Sequence, residues 1–118
     1  MIQAAELESE LSQFHGTDTY YKNFTGLKYT DGIQTLAELA GAHWLIDLVG
    51  SYQAKYQKKC PFQVWALHVG PDNHAVVTMR EDDDQPHWVF QGIEFTDFPL
   101  PRFEFYCIDG VMLLKSEY

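Results

Sequence analysis

The spacing of apolar residues changes at Pro61, and this change most constrains the fold. Before Pro61 the apolar residues recur at helical spacing, first in residues 4–14 and then over about 32–58. After it, side chains alternate with a period of two in five segments, 62–69, 75–81, 87–95, 102–108 and 111–118. The expected fold class is α+β: a short N-terminal helix, a long central helix and a five-stranded antiparallel meander packed on it, in a single domain over 1–118.

Turn and cap residues refine this expectation. Asp31 can accept from first-turn N–H groups and Gln34 can reach back, so the pair predicts a capping box at the start of the long helix. Asp109–Gly110 predicts a type I′ hairpin between the last two strands. Residues 20–30 hold two short aromatic pieces around a turn, and they predict either a small hairpin or an ordered loop.

The segment GAHWLIDLVGSYQ, residues 41–53, places His43 and Asp47 one turn apart in an otherwise apolar helix. Wheel arithmetic over the whole helix puts Asp47 close to Ile33 and predicts that its carboxylate is substantially buried. Three interpretations remain open: a structural polar pair, half of a metal site, or an acid–base pair in a helix–sheet pocket. The candidate ligand-pocket residues are Asp47, His43, Tyr29 and Tyr21.

The other motifs favour structural explanations, so no catalytic residue, metal site or cofactor is expected. His68, His74 and His87 lie on or beside two hairpins, and meander pairing does not bring three histidines to one ion. The acidic run REDDDQP, residues 80–86, lacks the ligand alternation and the turn glycine of a calcium loop. It is interpreted as a solvated hairpin turn that also discourages edge-to-edge aggregation.

The net charge of −9, from 17 acidic and 8 basic residues, argues against direct binding to nucleic acid or anionic lipid. The start MIQAAELESE lacks the basic and apolar regions of a signal peptide, and WLIDLV is too short to cross a bilayer. A cytoplasmic location is therefore expected, with Cys60 and Cys107 as buried free thiols.

Aromatic residues make up 15% of the chain and bear on association. Within 102–108, Phe103 and Phe105 share one strand face, whereas Tyr106 points to the other. Aromatics on both faces indicate that the second face meets something, such as another copy, or is covered by the N-terminal segment.

Several blocks in order resemble one bacterial family: YTDGIQTLAELAGAHWLIDLVGSYQ (29–53), FQVW (62–65), IEFTDFPL (93–100) and LLKSEY (113–118). That family is uncharacterised, a domain of unknown function found as small proteins in cyanobacteria and on mobile elements of other bacteria. The family-like positions are Tyr29, Thr30, Asp31, Gly32, Glu38, Trp44, Leu45, Asp47, Gln53, Thr96, Asp97 and Glu117. In the family, tyrosine is common where this chain has His43, which leaves Asp47 as the stronger member of that pair. The resemblance implies no activity and no catalytic residue.

These observations predict a non-catalytic cytoplasmic protein that acts as a homo-oligomer or through a protein partner. One alternative is a ligand-binding or enzymatic domain with a helix–sheet pocket around Asp47. The other is an acidic protein that mimics nucleic acid and blocks a DNA-binding protein.

Overall fold

The computed structural model describes residues 2–82 and 84–118, and it confirms the α+β class. Within these residues the chain forms three α-helices, α1 (Ala4–Leu11), α2 (Asp31–Ala40) and α3 (His43–Tyr56). One sheet contains seven described strands: β1 (Tyr20–Lys22), β2 (Lys28–Thr30), β3 (Phe62–Val69), β4 (Ala75–Arg80), β5 (Val89–Ile93), β6 (Arg102–Ile108) and β7 (Val111–Leu114). A 3₁₀ helix, Lys115–Glu117, follows β7.

The predicted long helix over 32–58 is wrong, because the chain breaks it at Gly41. Gly41 has a φ of 62°, the left-handed conformation that glycine adopts without steric cost, and it caps the end of α2. The next helix starts two residues later at His43. Residues on the two sides of the break therefore do not share one helical stripe.

The predicted capping box of Asp31 and Gln34 is also wrong. The N-cap is Thr30, whose hydroxyl accepts from the Ile33 N–H at 3.2 Å. Gln34 instead donates from its amide to the Glu38 carboxylate, one turn further along the helix, at 2.7 Å. The helix start is thus shifted by one residue from the predicted position.

The strands run in the order β1-β2-β7-β6-β3-β4-β5, and every neighbouring pair is antiparallel except β2 and β7. All five predicted strands exist, although the last one, predicted over 111–118, ends at Leu114 where the 3₁₀ helix follows. The prediction of a five-stranded meander is wrong. β6 pairs with β3 rather than with β5, because the connection that contains Pro99 and Pro101 carries the chain back across the sheet. Residues 20–30 form the hairpin of β1 and β2, which extends the sheet to seven described strands.

One face of the sheet packs with the helices in the main core. Trp65, Phe105 and Met112 are fully buried there with the helical residues Ile33 and Val49. The predicted type I′ turn is confirmed nearby, since Asp109 and Gly110 both have positive φ, 51° and 81°.

Two glutamines that the apolar pattern did not indicate are buried in this core. The side-chain amides of Gln53 and Gln63 donate to each other at 2.9 and 3.0 Å. The Trp65 indole N–H donates to the Gln63 carbonyl oxygen at 2.8 Å. The network joins α3 to β3, and it satisfies polar groups that would otherwise destabilise the core.

The opposite face of the sheet, called here the open face, carries the side chains that alternate with the core residues. Tyr106 lies on it, directly across from Val64 on β3 and Leu113 on β7. Phe103 and Phe105 lie on the helix side with ring centroids 6.0 Å apart, so the predicted division of these aromatics is confirmed. The N-terminal helix joins the helix-side core through Leu7 and Leu11.

Candidate functional site

Asp47 is exposed, and the prediction that it is substantially buried is wrong. Helix α3, which starts after the break at Gly41, buries Leu45, Ile46 and Val49 and places Asp47 on its solvent side. Its Oδ1 accepts a hydrogen bond from the Asn23 side-chain amide, in the β1–β2 turn, at 2.8 Å. His43 is exposed in the first turn of the same helix.

The two predicted tyrosines lie beside this carboxylate. Tyr21 and Tyr29 stack with ring centroids 5.5 Å apart. Burial raises the pKa of Tyr29, with further contributions from Tyr21 and from the negative charges of Asp47 and Glu38. The structure therefore gathers Asp47, Tyr29 and Tyr21 on one outer surface, and their role in binding a ligand stays a prediction.

Among the Asp and Glu residues that the structure describes, the buried one is Glu117, in the 3₁₀ helix that follows β7. Its oxygens accept from the hydroxyl groups of Thr30 at 2.7 Å and Thr17 at 3.0 Å. They also accept from the N–H groups of Leu114 at 2.9 Å and Gly32 at 3.3 Å. Three of these residues, Thr30, Gly32 and Glu117, belong to the family-like positions, and together they join the start of α2 to the end of β7.

The other motifs stay apart. Among residues 2–82 and 84–118 no group of three His, Cys, Asp or Glu side chains could hold a metal ion. His74 contacts Asp72 through Nδ1 at 2.7 Å on the surface. His68 lies on the open face, where burial and the nearby Arg102 lower its pKa. The acidic run 80–86 includes Asp83, which lies outside the described residues.

Both cysteines are buried free thiols, as predicted. Burial raises the pKa of Cys107 to about 12 and also raises that of Cys60. Thiols with a raised pKa hold little thiolate, so neither residue is suited to nucleophilic chemistry.

The open face bears a groove that the sequence did not predict, called here the hairpin groove. It lies between the β1–β2 hairpin and the C-terminal residue, and its volume is about 540 Å³. Its lining is mostly apolar and is formed by Tyr20, Tyr21, Lys22, Lys28, Ile108, Val111, Leu113 and Tyr118.

The sheet register explains how the groove forms. Because β2 runs parallel to β7, Lys28 lies opposite Val111, and the hairpin continues the open face beyond β7. At the other end, the Tyr118 ring packs edge-on against Phe62 and Tyr106, with centroids 5.4 and 5.6 Å away. Tyr118 nevertheless remains 76% exposed and Tyr20 58% exposed. Two large aromatic rings thus flank an aliphatic floor and face solvent.

The centre of the open face holds a carboxylate that pairs with three cations. Glu104 accepts from Arg102 and Lys115, each at 2.6 Å, and lies 3.5 Å from Arg80. Hydrogen bonds from Lys115 and Arg102 lower the pKa of Glu104 to about 2, against the opposing effect of its burial. This carboxylate therefore stays ionised and pairs with the cations around it.

Within the described part of the chain, no helix is both long and apolar enough to cross a membrane. No curated protein and no solved structure matches the sequence. A model of a family of unknown function, DUF6876, matches residues 5–118. That match spans the whole described sheet, α2, α3 and all of α1 except Ala4. The chain therefore belongs to DUF6876, a family of unknown function.

Proposed function

We propose that this chain is a non-catalytic binding protein that acts by associating with another protein chain through the hairpin groove. The observation that carries the proposal is the grouping of exposed Tyr20 and Tyr118 around the aliphatic residues Val111 and Leu113. Interface centres are enriched in tyrosine and depleted of charge, and exposed apolar grouping of this kind is typical of contact surfaces.

The shape of the groove favours a protein over a small molecule. It is an open groove of about 540 Å³ and not an enclosed cavity. Small-molecule sites usually enclose most of the ligand surface, roughly 70–90%. A protein segment that binds to the open face would cover the exposed rings, and the surrounding surface of that protein would exclude water from the contact.

The test compares the wild-type chain with Tyr20→Asp and with the control Phe95→Asp. Both positions are exposed aromatics, 58% and 66%, so each change adds one charge without opening the core. Tyr20 lies on the edge strand β1, and Phe95 lies two residues after the other edge strand, β5. Immobilised chains capture proteins from a lysate of the native host. Each captured protein is then purified, and its affinity for all three chains is measured by calorimetry. Native mass spectrometry of the free chain detects multiples of 13.7 kDa.

We expect a partner, either another protein or a second copy, that binds wild type and Phe95→Asp equally. It should bind Tyr20→Asp at least about tenfold more weakly, because a carboxylate on the groove rim must be desolvated on docking. Association that tolerates Tyr20→Asp as well as Phe95→Asp would refute the groove as the binding surface.

A second candidate function is the binding of a small ligand at Asp47. It is favoured by the juxtaposition of Asp47 with the stacked rings of Tyr21 and Tyr29. A metabolite that raises the Tm of wild type but not of Asp47→Asn would support it, with the exposed Asp18→Asn as the control. Equal Tm shifts in all three chains would refute it.

The acidic nucleic-acid mimic stays a further prediction. It requires acidic side chains spaced like phosphates along one exposed face, and competition with DNA for a DNA-binding protein. The cytoplasmic location is likewise part of the proposal, and fractionation of the native host would test it.

A further inference from the structure

We propose that the hairpin groove binds an acidic and apolar segment of a different protein. This inference rests on the proposed function. In that segment one or two carboxylates lie within about four residues of an aliphatic or aromatic side chain. The carboxylates contact Lys22 and Lys28, and the apolar side chain packs on Val111 and Leu113.

The first argument is the pairing of the two lysines. Lys22 on β1 lies directly across from Lys28 on β2, and both line the groove. Like charges directly opposite each other in a sheet are destabilising. The short hairpin therefore bears an electrostatic cost that an anion on the open face would relieve.

The second argument is the contrast with the centre of the same face. There Arg80, Arg102 and Lys115 all lie within 3.5 Å of Glu104. By comparison, neither Lys22 nor Lys28 forms an ion pair with a carboxylate in residues 2–82 or 84–118. In a chain of net charge −9, two adjacent cations without a carboxylate are complementary to an acidic partner.

The third argument is the length of the groove. It crosses β1, β2 and β7 and reaches Ile108 at the end of β6. Three strand spacings of about 4.8 Å give about 14 Å, which four or five extended residues span. The lysines lie at the hairpin end and the aliphatic floor at the β7 end. Since Lys28 lies directly opposite Val111, the carboxylates and the apolar side chain of a bound segment lie within a few residues of each other.

A second copy of this chain fits the groove poorly. A two-fold dimer through the groove would bring together the same patch from both subunits, and that patch contains Lys22 and Lys28 but no Asp or Glu. A head-to-tail contact would leave a groove open at one end of the assembly, so it would continue into a ring or a filament. A different protein avoids both outcomes.

The experiment uses random twelve-residue peptides displayed on phage and selected on the immobilised full chain. Parallel selections use Lys22→Glu/Lys28→Glu, the groove variant Tyr20→Asp, and the control Lys58→Glu/Lys59→Glu. Both double variants make the same change of charge, and all four lysines are exposed. Selected peptides are then synthesised, and their Kd values are measured by fluorescence anisotropy at 0.05 and 0.5 M NaCl, concentrations chosen to vary screening by about threefold in Debye length.

We expect wild type and the control to enrich peptides with Asp or Glu near Leu, Ile, Phe or Trp. The Kd should rise roughly tenfold or more in Lys22→Glu/Lys28→Glu and should also rise at the higher salt concentration. Neutral or basic peptides that are lost on Tyr20→Asp would overturn this inference and leave the groove as a binding surface. Enrichment no greater on wild type than on Tyr20→Asp would overturn both the inference and the proposed function.

The single variant Lys22→Glu separates a binding role from a structural one. It places opposite charges across the hairpin, so the fold should become more stable while the acidic peptide binds more weakly. Stability and binding that fall together would overturn the inference. A dimer of wild type that Tyr20→Asp dissociates would also overturn it, because the occupant would then be a second copy.

Discussion

Glu117→Gln tests whether the buried carboxylate holds the C-terminal segment on the helices. Oε1 accepts from the Thr30 hydroxyl and the Leu114 N–H, and Oε2 accepts from the Thr17 hydroxyl and the Gly32 N–H. In the variant an amide nitrogen, which only donates, replaces one of these oxygens. A hydroxyl group can rotate to accept from it, but a backbone N–H cannot. Either orientation of the amide therefore leaves one backbone N–H facing another donor, but the Gly32 N–H also has Asp31 Oδ1 as an acceptor at 3.1 Å.

The magnitude follows from these contacts. The amide nitrogen should therefore face Gly32, and the main cost is that hydrogen bonds to a charged carboxylate, each about 1.5–3 kcal/mol, become bonds to a neutral amide, each about 0.5–1.5 kcal/mol. We expect the free energy of unfolding to fall by about 2 kcal/mol. For a chain of 118 residues this corresponds to a decrease in Tm of about 8 °C.

The assay is urea denaturation followed by tryptophan fluorescence, which reports on buried Trp65. The control is Glu94→Gln, the same change at an exposed carboxylate, which should stay within about 0.5 kcal/mol of wild type. If Glu117→Gln is as stable as Glu94→Gln, the four hydrogen bonds do not stabilise the fold and the reasoning is wrong.

Three further predictions concern packing, pH and thiol chemistry. A Cβ added at Gly32 would lie 2.6 Å from Glu117 Oε1, so Gly32→Ala should destabilise by about 1–3 kcal/mol in urea. Gly92→Ala, with no atom within 4 Å of the new Cβ, is the packing control, and equal stability of the two variants would contradict the clash. Because the pKa of Glu104 is lowered to about 2, its stabilising contribution is full above 4.5 and is lost as the pH falls towards 2. Urea titrations between pH 5 and 2 should show this loss in wild type and a smaller one in Glu104→Gln, and identical pH profiles would refute it. Since the pKa of Cys107 is raised to about 12, its thiol should react with DTNB at pH 8 only in urea, and rapid reaction of the native thiol would refute its burial.

The five C-terminal strands were predictable because their signals are local. Alternation over five to eight residues and the turn pair Asp109–Gly110 identify segments without reference to the rest of the chain. Strand order is a non-local property, and nothing in the alternation of β6 favours β3 over β5 as its neighbour. The meander prediction took sequence order as spatial order, and the return connection at residues 94–101 broke that assumption.

The hairpin groove was not predicted because it, too, depends on non-local strand pairing. β1 and β2 contain three residues each, too few for periodicity to distinguish a strand from a loop. The groove also requires the parallel pairing of β2 with β7, which joins positions more than eighty residues apart in sequence. The residues that line it are therefore adjacent only in the folded chain.

The wrong prediction for Asp47 shows how one glycine changes which side chains of a helical segment face the core. On a continuous helix Asp47 lies about 40° from Ile33, and therefore on the buried face. The left-handed Gly41 ends that helix, so the angles must be counted again within α3. Counted from the fully buried Val49, Asp47 lies about 160° away, on the solvent side, as observed. The break thus frees Asp47 to hold Asn23 and the β1–β2 hairpin against α3, and that hairpin forms one wall of the groove.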